Sequence, residues 1–469
     1  MIVALFALLL PLAAVWIGLQ AWNLRLPHHS RTLTAVVAFG CAVGLSSLTT
    51  FWLMAHIGLI GGAFVAADAG LWLGAAALGL WRLRSARQPE GRSVGSHPRP
   101  GPAPITTADW LARVAFAIVA AVGLATVVAE YMAGPHGQWD AWAVWNQKAR
   151  FLVRAGDQWT SSLVNPWSNP SHPVLVSTSV ARLWTYAGAE LTAVPALLAL
   201  SFGVGVVACV IGALDPRRTR AWIAGAIVIA PAIFVQQASA QTADMPVGFF
   251  VTAALAVFLR MGADSDGATT GRFRDSSLLL GVMLASFAAW TKNEGLILTM
   301  LLLAATAWHA LRGLDLWRLA TVAAGAVPAL VSIAWLKVAL APVPPGYFSE
   351  SDGAATILER LVATERHAAV GSMVIDHWLR WGYPGGEGAL PVITAALAIA
   401  AIAGRRAARA TTAVVVVMFT GYYVSWLVSP LETQWLVGTS FDRLLIQLWP
   451  LMVIASFARR ATGDPADGR

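Results

Sequence analysis

The chain has 469 residues, 57% of them hydrophobic and 12% charged, with a mean hydropathy of +0.65; an ordinary soluble domain is about 25% charged. That composition excludes a soluble globular enzyme. Thirty-two Lys and Arg against 24 Asp and Glu give a net charge of +8, but the charges gather between apolar runs of roughly 20 residues, about one bilayer thickness each, so the expected partners are membrane lipids rather than nucleic acid.

In chain order, the apolar runs predict an all-α polytopic membrane protein with about thirteen transmembrane helices. They lie near residues 2–22, 33–54, 57–81, 110–132, 190–213, 221–239, 245–260, 276–291, 295–311, 316–341, 388–404, 410–428 and 443–458. No Lys or Arg precedes the first run, the reverse of a secretory signal peptide, so it reads as a membrane helix with its N-terminus outside. Cys41 and Cys209 both fall inside apolar runs and read as packing residues.

With these spans, the clusters Arg25/Arg31, Arg82 to Arg99, Arg217/Arg218/Arg220, Arg260 to Arg274, Arg312/Arg318, Arg405/Arg406/Arg409 and Arg459/Arg460 all fall on one side. The positive-inside rule makes that side the cytoplasm. Ten basic residues break the rule: Lys148, Arg150, Arg154, Arg182, Lys292, Lys337, Arg360, Arg366, Arg380 and Arg443. All three lysines of the protein are among them.

Composition also divides the chain. Residues 1–84 form a three-helix membrane unit, 85–108 a basic Pro/Gly/Ser linker, 109–460 a larger transmembrane body, and 461–469 a cytoplasmic tail. Thr106 and Asp109 at the start of the body have capping-box spacing with Asp in place of Glu. Two outer segments, 133–189 and 342–386, are longer than turns.

The first outer segment contains Gln138 to Arg154, which reads as an amphipathic interfacial helix. At 100° per residue Trp142, Trp145, Ala149, Leu152 and Val153 share one face, and Asp140, Gln147, Arg150 and Arg154 another. Tryptophans suit the headgroup level. Asp140 then has two readings, an ion pair with Arg150 or Arg154, or a catalytic carboxylate.

Three shorter outer turns carry charge. Asp244, followed by Met245 and Pro246, is explained by helix capping alone. Lys292 and Glu294 stand between two spans with almost no spacer, an arrangement that is costly near hydrocarbon unless they pair or meet a ligand. Asp442 and Arg443 open the last apolar run; Arg443 suits an anion, and Asp442 a cap or salt bridge. Asp68, inside the third span, is an intramembrane acid with no partner evident in the sequence.

Outward Lys and Arg near the headgroups suit a lipid phosphate, and a nearby carboxylate suits a general base. Together they suit transfer from a lipid phosphate to an alcohol. The run Trp139-Asp140-Ala141-Trp142-Ala143-Val144-Trp145-Asn146 with Lys148-Ala149-Arg150, the turn Ala243-Asp244-Met245-Pro246, Lys292-Asn293-Glu294-Gly295 and Thr439-Ser440-Phe441-Asp442-Arg443-Leu444-Leu445 together resemble the GT-C superfamily of membrane glycosyltransferases, which includes protein O-mannosyltransferases and the aminoarabinose transferase of lipid A. The resemblance spans roughly residues 105 to 460.

It implies inverting transfer from a polyprenyl-phosphate-sugar donor to a hydroxyl on a glycolipid, polysaccharide or protein acceptor, outside a bacterial cytoplasmic membrane. It also implies that Asp140 is the catalytic acid-base residue, that Lys292, Arg443 and Arg150 bind the donor phosphate, and that Asp244 and Glu294 position the acceptor or a metal. Trp139, Trp142 and His172 would support the site. No cofactor is required, and a divalent metal at Asp244 is left open, because Ala141 and Leu436 stand where relatives often carry a second acid and a His. Two other readings of the same residues are a transporter or flippase of a lipid-linked saccharide and a non-catalytic scaffold of the same fold.

Overall fold

The computed structural model describes residues 2–22, 24, 30–58, 61–85, 106–164, 170, 172–215, 218–263, 271–312, 315–341, 353–382, 388–403 and 405–458. Most of the linker, including Arg87, Arg92 and Arg99, and the C-terminal tail lie outside the described residues, as do Arg25 and Arg217.

Every regular element among the described residues is helical: α1 (Ile2–Ala21), α2 (Arg31–Ile57), α3 (Gly61–Ser85), α4 (Thr107–Ala133), α5 (Asn146–Arg154), α6 (Trp159–Leu163), α7 (Leu175–Ala187), α8 (Ala193–Leu214), α9 (Thr219–Ile229), α10 (Ala232–Ser239), α11 (Asp244–Ala263), α12 (Gly271–Thr291), α13 (Asn293–Arg312), α14 (Leu316–Trp335), α15 (Ala354–Val362), α16 (Thr364–Arg380), α17 (Ala389–Ile402), α18 (Arg406–Val428), α19 (Thr433–Ile446) and α20 (Trp449–Phe457). Seven helical segments among the described residues are long and apolar enough to cross a membrane, or nine if each of two bent pairs is one span. The chain is therefore a helical membrane protein. Four further apolar helices, Asp244–Leu259, Ser276–Thr291, Asn293–Trp308 and Ala389–Ile402, are shorter.

Local chemistry explains the breaks. Pro231 follows α9 and cannot continue its hydrogen-bond ladder, so α9 and α10 meet at 72°. The sequence places one span over these two helices. At the start of α4 the capping box forms as its spacing predicts, with Thr106 and Asp109 each bonded to the other's backbone N–H.

The first three helices do not stand apart from the rest. α2 packs on α7, α8 and α12, and α1 packs on α7 as well as on α2 and α3. Gly40 and Gly44 give α2 its close approach: a Cβ at Gly44 would run into the Phe287 ring, and one at Gly40 would stand 2.8 Å from Leu284. Across the same seam Ser47 and Thr178 hydroxyls are hydrogen-bonded at 2.7 Å, and Trp290 Nε1 donates to Ser47 at 2.9 Å.

Asp68 acquires its partner here. Arg182 of α7 donates to its Oδ2 through Nη2 at 2.6 Å and Nε at 3.1 Å, Tyr186 through its hydroxyl at 2.6 Å, and Trp72 donates to Oδ1 at 3.3 Å. Arg182 also donates to the Ala7 carbonyl at 2.5 Å, so one guanidinium ties α7 to α1 and α3. A buried charge pair survives when its remaining donors and acceptors are satisfied, and this one is. Arg182 thus lies in a buried helix within the segment that the sequence reads only as an outer loop.

Candidate functional site

Asp140 is the last residue before a π-helical turn, Ala141–Trp145, which runs into α5. The turn changes the helical phase. Trp145, Ala149 and Leu152 are buried as one face, but Trp142 is exposed and meets Trp139 edge to face at 5.9 Å. The expected apolar face therefore loses Trp142, while Asn146 and Lys148 are buried.

This segment is docked on the turn before α11. Gln138 N–H donates to the Ala240 carbonyl at 3.2 Å, Asn146 to Gln241 Oε1 at 3.0 Å, and Gln241 Nε2 to the Pro135 carbonyl at 3.1 Å. Gly137 lies at φ 79°, where a Cβ would stand 2.7 Å from the Ala240 carbonyl oxygen. The two turns are thereby locked together, with Asp140 and Asp244 both bonded to Arg443.

Asp244 is the centre of the site. Fully buried, it accepts from Lys292 Nζ at 2.9 Å and Gln447 Nε2 at 3.1 Å through Oδ1, and from Arg443 Nε at 3.0 Å and Nη2 at 2.8 Å through Oδ2. Thr242 is at 3.4 Å. The capping explanation for Asp244 is replaced by a charge-binding one. Arg443 Nη2 also reaches Asp140 Oδ2 at 2.5 Å, and Lys292 reaches Glu294 Oε1 at 2.8 Å. The order is Asp140, Arg443, Asp244, Lys292, Glu294: each cation bridges two carboxylates. Burial works against the Lys292 charge, but Asp244 and Glu294 more than offset it and hold its pKa above the usual lysine range.

These five residues line one cavity of about 450 Å³, with Trp139 and His172 on its wall and Trp145, Trp426, Leu436 and Leu444 as apolar lining. A separate cavity of about 350 Å³ between α4, α8, α9 and α10 is almost wholly apolar and touches none of them.

His172 lies over Trp145, ring centroids 5.3 Å apart. Burial first, then the charges of Lys292, Lys148 and Lys337, push its pKa well below the usual histidine value, so the imidazole on this wall is neutral. Lys148 donates to the His172 carbonyl at 3.4 Å. Its own pKa falls to about 7, chiefly through burial and secondly through the charge of Lys337.

Arg150 is not brought to the cavity. It pairs with Glu190 at 3.3 Å, approaches His136 Nδ1 at 3.3 Å and lies over the Trp184 ring. Arg154 binds the same Glu190 at 2.6 and 2.8 Å. The expected pairing of Asp140 with Arg150 or Arg154 is thus absent, because Glu190 holds both guanidinium groups. Asp442 faces His377 at 3.8 Å rather than Arg443. Sequence reading also missed Gln447, held by Tyr422 at 3.0 Å, since a neutral amide in an apolar run carries no charge signal. Lys148 did leave a signal, in that no lysine stands on the basic side.

Asp244 does not fit a metal site: Lys292, Arg443 and Gln447 already occupy its two oxygens, and no group of three His, Cys, Asp or Glu is arranged to hold a metal ion among the described residues. What the arrangement can do is bind an anion beside its cations and hold a carboxylate against a neutral hydroxyl. Comparisons with protein-family models, with curated proteins and with solved structures find no match for this chain.

Proposed function

We propose that this chain is a membrane glycosyltransferase that moves a sugar, with inversion, from a polyprenyl-phosphate donor to a hydroxyl acceptor. The observation that carries the reading is that Asp140, Arg443, Asp244, Lys292 and Glu294 come from four separate segments to one cavity beside the apolar bundle. In this reading the four shorter helices and the two bent pairs also cross, giving thirteen spans, and the cavity opens outside a bacterial cytoplasmic membrane.

Asp140 is the base. Its carboxylate takes the proton of the acceptor hydroxyl as that oxygen bonds to the anomeric carbon, and the bond from that carbon to the phosphate oxygen breaks on the opposite face. The lipid phosphate leaves with the bonding electron pair, its added negative charge met by Lys292 and Arg443. Arg443 has a second task, since an arriving anion competes with Asp140 for the guanidinium and frees the carboxylate to accept a proton. Asp244 keeps Arg443 and Lys292 in place throughout. The acceptor is a glycolipid, a polysaccharide or a protein hydroxyl.

The test is Asp140→Asn in proteoliposomes supplied with a labelled polyprenyl-phosphate sugar and envelope acceptors. Transfer should fall about 10²- to 10⁴-fold, the range for loss of a general base, with membrane insertion unchanged. Near-full transfer by the variant would overturn the assignment. Movement of labelled lipid without any glycosylated product would favour transport instead.

A further inference from the structure

The bent pair α9 and α10 leaves a gap in the bundle. The helices α4 and α8, both long and apolar enough to cross a membrane, each pack on both members of the pair, and among the four lies the apolar cavity of about 350 Å³. Along α4 its wall is one stripe at helical spacing, Phe116, Ala120, Gly123, Leu124 and Val127, faced by Val204 and Ala208 of α8. Leu124 and Val204 are 50% and 59% exposed on the outside of the bundle, so the cavity is a groove open to what surrounds the spans. For a membrane helix that is lipid hydrocarbon.

The groove has the length of one leaflet. Between Phe116 and Val127 α4 rises about 16 Å at about 1.5 Å per residue, and half of a hydrocarbon core of about 30 Å is about 15 Å. Arg113 continues the same α4 stripe, one turn before Phe116. Its guanidinium lies over the Trp222 ring, 5.5 Å from the centroid, and Trp222 meets Phe116 edge to face at 5.2 Å, both rings lining the groove. Arg113 Nε is buried with no hydrogen-bond partner among the described residues. A cation with a spare donor thus stands where a hydrocarbon chain in the groove would meet its headgroup.

The charges around that end favour an anion. Thr32, which lines the groove, follows Arg31, and a Cβ at Gly212 would stand 2.8 Å from the Leu33 backbone N, so the start of α2 is seated on the end of α8 here. At the starts of α2, α4 and α9 and the end of α8, the described residues carry Arg31, Arg113, Arg218 and Arg220 against Asp109 and Asp215. Asp109 is already bonded to the Thr106 backbone and the Thr219 hydroxyl. Arginine is therefore in surplus. Lipid tails and apolar side chains are alike in character, so the groove alone discriminates poorly among chains, and the headgroup sets the preference.

We propose that this groove is a binding site for an anionic phospholipid of the leaflet at the arginine-rich end: one acyl chain fills the groove between α4 and α8, and the phosphate accepts from Arg113. The chain supplies packing that the 72° bend withholds from α4 and α8, and the guanidinium fixes its depth. The groove shares no lining residue with the cavity of Asp140 and Arg443 and does not depend on the transferase reading.

The test is photolabelling of the full-length protein in phosphatidylcholine bilayers. The probes are phosphatidylglycerol and phosphatidylcholine, each carrying a diazirine midway along one acyl chain, at the same low fraction, with labelled residues mapped by mass spectrometry of peptides. Ile118 and Val122, 60% and 62% exposed on the opposite face of α4, report lipid of the same depth outside the groove. In wild type, labelling of Ala120, Leu124, Val204 and Ala208 relative to these two should be about fivefold greater with phosphatidylglycerol than with phosphatidylcholine, the factor that one interfacial arginine contributes. Arg113→Gln should remove that preference and Arg113→Lys, which keeps the charge, should retain most of it. Ala208→Phe, which fills the groove from α8, should abolish groove labelling by both probes and leave Ile118 and Val122 labelled, a pattern that a folding defect does not produce.

Equal groove labelling by the two probes in wild type, or a preference kept by Arg113→Gln, would overturn the proposal. So would displacement of the phosphatidylglycerol probe by an equal amount of farnesyl phosphate, which would give the groove to an isoprenoid, or groove labelling that vanishes as more protein is packed into each bilayer, which would give it to a second copy of the chain. No sugar is transferred in this experiment, so its outcome and that of the Asp140→Asn assay are read separately.

Discussion

Two buried charge clusters stand out among the described residues, and they are built to opposite specifications. At the seam between α3 and α7, Asp68 and Arg182 are 0% and 2% exposed, their bonds described above all run to other protein groups, and neither the 450 Å³ nor the 350 Å³ cavity touches them. At the end of the bundle, Asp244 is as deeply buried, but its cations also reach Asp140 and Glu294, whose side chains are 28% and 22% exposed on a cavity wall. The first cluster is closed and the second is open. Burial of charge in a membrane protein is therefore no mark of function by itself; what separates a clamp from a site is whether the partners are all satisfied from within.

The comparison is broken most severely at the clamp. Arg182→Met leaves Asp68 buried with Tyr186 and Trp72 as its remaining donors among the described residues, and removing one partner of a buried pair costs roughly 3–5 kcal/mol. Thermal unfolding of the detergent-solubilised protein should show that loss, and whatever fraction folds should transfer sugar at the wild-type rate per molecule. The double change Asp68→Leu with Arg182→Met should recover most of the stability, since well-packed apolar replacements of a buried pair are often neutral. Unaltered stability in the single variant would mean the pair does not hold the seam together.

A smaller effect is expected at another helix seam. Gly44→Ala places a methyl against the Phe287 ring where α2 meets α12. Overpacking of this kind costs about 1–3 kcal/mol, read from the same unfolding measurement. If stability does not fall, α2 has room to move away from α12, and the seam is looser than its hydrogen bonds to Thr178 and Trp290 indicate.

Sequence reading found the open cluster more readily than the closed one, for a physical reason. Hydrocarbon makes charge expensive, so Asp244, Lys292, Glu294 and Arg443 stand out at the ends of apolar runs, and their convergence needs only that those ends share one side. Asp68 also stood out, but its partner did not. Arg182 lies on α7, a 13-residue helix buried on all sides, too short for a span and so assigned to a loop. The π turn at Ala141–Trp145 was hidden for a related reason: a helical wheel assumes a constant 100° per residue, and one wider turn rotates Trp142 off the face of Trp145 while leaving Ala149 and Leu152 on it. Long-range pairing, such as Glu190 with Arg150 and Arg154, has no local signature.

The smallest effect is the one that most directly tests where the open cluster ends. Arg150 and Arg443 are both outward-side arginines near Asp140 in the sequence reading, yet only Arg443 lines the cavity. Arg150 is held by Glu190 at 3.3 Å and rests over Trp184, and Arg154 grips the same carboxylate through two nitrogens, so Glu190 keeps a partner when Arg150 is removed. A half-exposed ion pair of this kind contributes about 0–1 kcal/mol. Arg150→Gln should therefore leave both the unfolding temperature and the rate of the proposed sugar transfer close to wild type. A tenfold or greater loss of transfer in Arg150→Gln, with stability retained, would put a third cation at the proposed donor site and extend the open cluster along α5; an unchanged rate confines it to the five residues strung from Asp140 to Glu294.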